Sequence, residues 1–174
     1  MKLKKFCFLI LILIVAPPNI LLSETPYYID YKFVLNQSLA GKKAQDDLKK
    51  KLNKGIESLQ KQEKSLQASE KKIIEQKKII SADEYKKKIT ELREKVSTLQ
   101  KERNQLMDTV AKQRATAKNV LLKNLNPIIK EYMKNNNIKM IIDKKFLVMA
   151  DESLNITKPI VDLLNKKLKS IDLN

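Results

Sequence analysis

Histidine and tryptophan are absent from this 174-residue chain, glycine occurs twice, and the one cysteine is Cys7. Each scarcity closes off chemistry. Beyond Cys7 there is no thiol for nucleophilic attack or disulfide formation, and no imidazole to serve as base or metal ligand. With Gly41 and Gly55 alone, no glycine-rich phosphate loop can be built. Acidic pairs remain at Asp46-Asp47, Asp83-Glu84 and Asp151-Glu152. Adjacent residues do not face one another on a helix, and each pair falls near a predicted helix end or turn, where acids are ordinary. The expectation is a non-enzyme that carries no catalytic residue, cofactor or metal.

What is abundant is positive charge: 36 Lys and Arg against 20 Asp and Glu, a net of +16. Only Arg93, Arg103 and Arg114 are arginines. The surplus has two readings that coexist. One is long-range attraction to acidic partners, anionic lipid or lipopolysaccharide; the other is a solvated helical surface in which lysine is the default polar residue. Runs such as Lys49-Lys50-Lys51 and Lys86-Lys87-Lys88 lack bidentate arginines and interleaved aromatics. No specific nucleic acid partner is expected.

The N-terminus reads as an export signal. Lys2, Lys4 and Lys5 precede an unbroken apolar stretch from Phe6 to Ala16. That stretch is shorter than the ~20 residues of an ordinary membrane span. Cleavage is predicted near Ser23, giving 1–23 as signal peptide and an exported protein that Cys7 has left. Without disulfides, packing alone must hold it together.

From Leu48 to Leu125 the apolar residues recur every three and four positions, with one slip of phase at Ser81 to Tyr85. Ser81 followed by Glu84 is a capping box, so a helix is predicted to begin at the slip. If the chain turns back there, Ile80 meets Tyr85, Ile73 meets Leu92, Leu66 meets Leu99 and Leu59 meets Leu106, all in one register. The same register puts Glu63 near Arg103 and Glu70 opposite Lys95. The competing arrangement is one continuous helix in a parallel coiled coil, with the slip as a skip residue. The hairpin reading gives an arm over 39–135 with its tip near 81–84; Leu48 to Ile80 would span about 50 Å.

The flanks, 24–38 and 136–174, have a different character. Tyr27, Ile29, Tyr31 and Phe33 alternate with Tyr28, Asp30, Lys32 and Val34, predicting a strand. Ile138 to Asp143 and Phe146 to Ala150 predict a hairpin about Lys144-Lys145. A final amphipathic helix follows, with Thr157 as N-cap, Pro159 in its first turn, and Ile160, Leu163, Leu164, Leu168 and Ile171 on one face. So few elements leave an open sheet, so self-association is expected. The oligomerisation candidates are Tyr27, Ile29, Tyr31, Phe33, Ile138, Met140, Ile142, Phe146 and Val148. The class is α+β: a small β body with a long antiparallel helical hairpin arm.

Tyr28-Ile-Asp-Tyr-Lys-Phe-Val-Leu-Asn-Gln-Ser38 followed by Ala40-Gly-Lys-Lys-Ala44 resembles the opening of the Skp family of OmpH-like periplasmic chaperones. Ile141-Ile-Asp-Lys144 and Leu154-Asn-Ile-Thr157 resemble its C-terminal part. Leu39 stands where the family often has proline, and Asn155 where aspartate is common. The resemblance implies a homotrimer with a β-barrel body shared among the chains. Its three arms would enclose a cavity, and it would act as an ATP-independent holdase for unfolded outer-membrane proteins. Client-contacting residues do not transfer. The alternative from another class is a structural envelope coiled coil, tethered by an uncleaved N-terminus.

Overall fold

A computed structural model describes residues 25–173, so the segment read as a signal lies outside it. The element order is β1 (Tyr27–Ile29), α1 (Tyr31–Gln37), α2 (Leu39–Gln76), α3 (Ala82–Asn135), β2 (Ile141–Asp143) and α4 (Thr157–Lys167). Two short 3-10 turns, Lys144–Phe146 and Glu152–Leu154, lie between β2 and α4. The long helices α2 and α3 have 38 and 54 residues. At 1.5 Å per residue they extend roughly 57 and 81 Å. They run antiparallel, so the hairpin holds and the continuous coiled coil does not: Gln62 donates to Glu102 at 2.9 Å and Arg103 to Glu63 at 3.4 Å.

The strand expected from Tyr27 to Val34 stops after three residues. Asp30 is the reason: its Oδ1 accepts the Phe33 N–H at 2.7 Å, the bond of an N-cap, and α1 starts at the next residue. The alternation of apolar residues was equally a helical spacing, with Val34 fully buried, Tyr31 and Leu35 half-buried, and Phe33 exposed. Ser38 then ends α1 and caps α2 in one residue. No loop is needed between them.

The tip also falls earlier than expected. Helix α2 ends at Gln76, whose carbonyl accepts both the Ile79 and Ile80 N–H groups at 2.9 and 3.1 Å, so the turn is Lys77 to Ser81. Ser81 does cap α3, accepting the Glu84 N–H at 3.2 Å. At the other end α3 runs through Pro127 into the head and closes at Asn136-Asn137. Asn137 takes a left-handed φ of 52°, and Ile138 N–H bonds the Met133 carbonyl at 2.8 Å. This Schellman closure turns Ile138 into the core.

The predicted hairpin around Lys144-Lys145 does not form. Strand β2 instead pairs in parallel with β1, Tyr27 to Ile141, Tyr28 to Ile142 and Ile29 to Asp143. A further bridge joins Tyr28 to Asn155 on the other side. The segment Phe146 to Ala150 has no ladder partner among the described residues, and a lone strand cannot satisfy its amides. Asp143 and Asp151 instead accept the N–H groups of Lys145 and Ser153, capping the two 3-10 turns that bracket it.

The core is larger than expected of one copy. Ile29, Val34, Ile156, Ile160 and Leu164 from the flanks meet Ala40 and Ala44 of α2 and Leu121, Leu125, Ile128 and Ile129 of α3. The roots of the arm complete the head. Each fully buried Leu or Ile contributes about 1.5–3 kcal/mol.

Candidate functional site

Along the arm, Leu59 and Leu99 are buried and Leu66, Ile73, Ile80, Tyr85, Leu92 and Leu106 are half-buried. All eight are at least half-buried, seven of them on the helices and Ile80 in the turn between them. Of the two charged pairs expected, Glu63 with Arg103 forms, whereas Glu70 and Lys95 make no ion pair. Lys88 instead reaches across to Gln76 at 2.8 Å. Near the root, Leu106 lies over Gly55, one helical turn from the Leu59 expected opposite it.

Other apolar residues of the arm face outward. Ile56 and Val96, which the three-and-four spacing places on the same packing stripes, are exposed against that expectation, as are Ile74, Ile79 and Met107, Ile79 the most at 83%. They are set among lysines, most of which form no ion pair, since only four pairs exist among the described residues. At the root, α1, α2 and α3 enclose an open cleft of about 740 Å³ lined by Ala44, Leu48, Leu52, Val110 and Leu121 together with Lys49, Arg114 and Lys118. These surfaces are greasy and cationic at once. They suit many weak contacts with an extended apolar chain better than one shaped ligand.

The head residues expected at an oligomer interface divide into two groups. Ile29 and Ile138 are buried within one chain, and Tyr27, Tyr31 and Ile142 are half-buried. Phe33, Met140, Phe146 and Val148 are exposed, as is the neighbouring Met149 at 90%. Of these, Phe146, Val148 and Met149 lie after β2, in the segment without a ladder partner, whereas Phe33 is on α1 and Met140 directly precedes β2. Lys145 covers part of that segment, with Nζ 4.8 Å from the Phe146 ring centre.

A polar cluster holds the two ends of the chain together. Thr157 was expected to cap α4; it is instead the first helical residue, and its buried hydroxyl accepts the Asp30 N–H at 2.9 Å. Ile156 is the N-cap and makes no side-chain cap bond, while Asn155 Oδ1 accepts the Thr157 N–H at 3.0 Å in a turn just ahead of the helix. The Asn155 amide donates to Glu152 at 3.0 Å, and this bond, followed by the nearby Tyr28 hydroxyl, holds the Glu152 carboxyl below its usual range. Burial first, and then the Glu152 carboxylate, push the Tyr28 hydroxyl up. Hydrogen bonding to Ser153 holds Asp151 down. The clustering of Asp30, Asn155 and Thr157 is invisible locally, since Asp30 and Thr157 lie 127 residues apart.

Among the described residues no group of three or more His, Cys, Asp or Glu side chains could hold a metal ion. No helix among them is long and apolar enough to cross a membrane. The architecture is that of a hairpin-armed α+β protein whose prominent surfaces are apolar and basic. The sequence model of the outer membrane protein (OmpH-like) family matches residues 27–164, and the chain belongs to that family. The fold is similar to the crystal structure of a protein from Caulobacter crescentus CB15 described as an outer membrane chaperone (OmpH-like). The TM-score is 0.79 at 19% identity, over 85% of this chain and 89% of that one. No curated protein sequence matches the chain.

Proposed function

We propose that this protein is an ATP-independent periplasmic holdase, exported by cleavage of residues 1–23, that keeps unfolded outer-membrane proteins soluble until they insert. Membership in the OmpH-like family carries the reading. The arm fits it physically. A client with lipid-facing apolar strands aggregates in water unless shielded, and exposed Ile74, Ile79, Val96 and Met107 between lysines offer shielding by weak, releasable contacts. The positive surplus would favour acidic clients, and anionic lipid or lipopolysaccharide, at long range. No catalytic step is required.

The working unit is a homotrimer with a body from 24–38 and 136–174 and an arm over 39–135. Exposed Phe146 and Val148, on a segment without a ladder partner among the described residues, support self-association, because an exposed apolar segment beside a short sheet is a template for another chain. Native mass spectrometry of residues 24–174, alone and after dilution of a urea-unfolded outer-membrane β-barrel, tests both parts. The expected result is a trimer that takes up one client and keeps it soluble. A stable monomer or dimer that ignores the client refutes the reading and favours a structural coiled coil.

A further inference from the structure

The chain beyond α4 lies past the last residue matched to the family, 164, yet it is packed rather than loose. Helix α4 ends at Leu168, whose N–H bonds the Leu164 carbonyl and whose own backbone is extended. From there apolar Leu168, Ile171 and Leu173 are separated by polar Lys169, Ser170 and Asp172. Leu168 and Leu173 pack against the head core, and Ile171 is 8% exposed. Residues Ile171 to Leu173 share a small cavity with Asp47, Leu48 and Lys51 of α2 and Gln113 of α3. Gln113 Nε2 donates to the Leu173 carbonyl.

Residues 171–173 are therefore bonded to α3 through Gln113 and face α2 across the cavity, while α4 fixes the start of the segment to the head. We propose that residues 168–173 are a releasable strap that holds the foot of the hairpin against the head and limits how far the arm can swing or splay. The seat favours release. Gln113 Oε1 is buried with no hydrogen-bond partner, and a cavity of about 290 Å³ stays open beside the tail. An unpaired buried carbonyl and an unfilled gap both penalise the docked form.

Hydrogen exchange read by mass spectrometry tests it on the full-length protein, on a version ending at Lys167, and on Ile171→Asp. With the strap removed or undocked, peptides covering 44–52 and 108–116 are expected to exchange about tenfold faster, while peptides from α1 and α4 keep their rates. Ile171→Asp keeps the comparison intact if the shortened chain does not fold. Unchanged exchange at the foot of the arm overturns the proposal. So does equal acceleration in α1 and α4, which would make the tail an ordinary part of the head core.

Discussion

Gly41 is the residue on which the junction between head and arm depends most sharply. It is buried, its N–H donates to Ser38 Oγ at 3.2 Å, and a Cβ built on it would lie 1.9 Å from the Leu35 carbonyl oxygen and 2.9 Å from Ser38 Oγ. Carbon and oxygen do not approach closer than about 3.3 Å without strain. A backbone atom has no rotamer to escape into, so Gly41→Ala must open the Ser38 corner. That displaces Val34 and Ala40, both fully buried. Overpacking costs about 1–3 kcal/mol and loss of the cap about 0.5–2. Alanine's better helix propensity returns about 1. With the obstruction at the upper end, the expected net loss is about 3 kcal/mol. Gly55→Ala is the control, because there the nearest atoms to the new Cβ all belong to the Leu106 side chain, its Cδ atoms at 2.5 and 2.6 Å and its Cγ at 3.1 Å. Leu106 can swing aside, and the change should stay within about 1 kcal/mol. Urea unfolding followed by far-ultraviolet circular dichroism, at one protein concentration, measures both. If Gly41→Ala is as stable as the parent, or no less stable than Gly55→Ala, the close-approach argument is wrong.

Thr157→Val should lower stability by about 1–3 kcal/mol in the same assay, because it leaves the Asp30 N–H without its acceptor. Glu63→Arg should change it by less than about 1 kcal/mol, the pair with Arg103 being half exposed, and adding Arg103→Glu should recover whatever is lost. Glu152 and Asp151 have lowered folded-state values, so their contribution is present above the ordinary carboxylate range and fades as pH falls through the folded values. The urea midpoint should therefore drop as pH falls below the ordinary carboxylate range, less steeply in Glu152→Gln; an equal slope in that variant would exclude this cluster as the source. Phe146→Asp with Val148→Lys should shift sedimentation towards a single chain while leaving the helical signal intact; an unchanged sedimentation coefficient would move the interface elsewhere.

The arm was legible because its signals repeat. Many heptad positions report the same face, so one ambiguous residue cannot mislead, and the cap at Ser81 and the Glu63–Arg103 pair both form as the register required. The head was legible only in outline. Over seven residues, Tyr27 to Phe33 fits a period of two as well as a turn of helix, and Asp30 decides between them by capping α1. Phe146 to Ala150 has strand composition, but composition cannot supply a neighbour for its amides. The Asp30–Thr157 bond and the seat of Ile171 come from opposite ends of the chain, and nothing local announces them.

Strands β1 and β2 pair although the whole arm lies between them in the chain. Closing so long a loop from a random coil is slow, and its entropy rises with the logarithm of the loop length. A zipped hairpin shortens that loop to the few residues at its root. Helices form within microseconds, so the arm can close first and deliver Tyr27 and Ile141 to one another. On this route the length of the arm scarcely affects how fast the head assembles. A matched pair of heptads could be added to α2 and α3 without delaying the sheet.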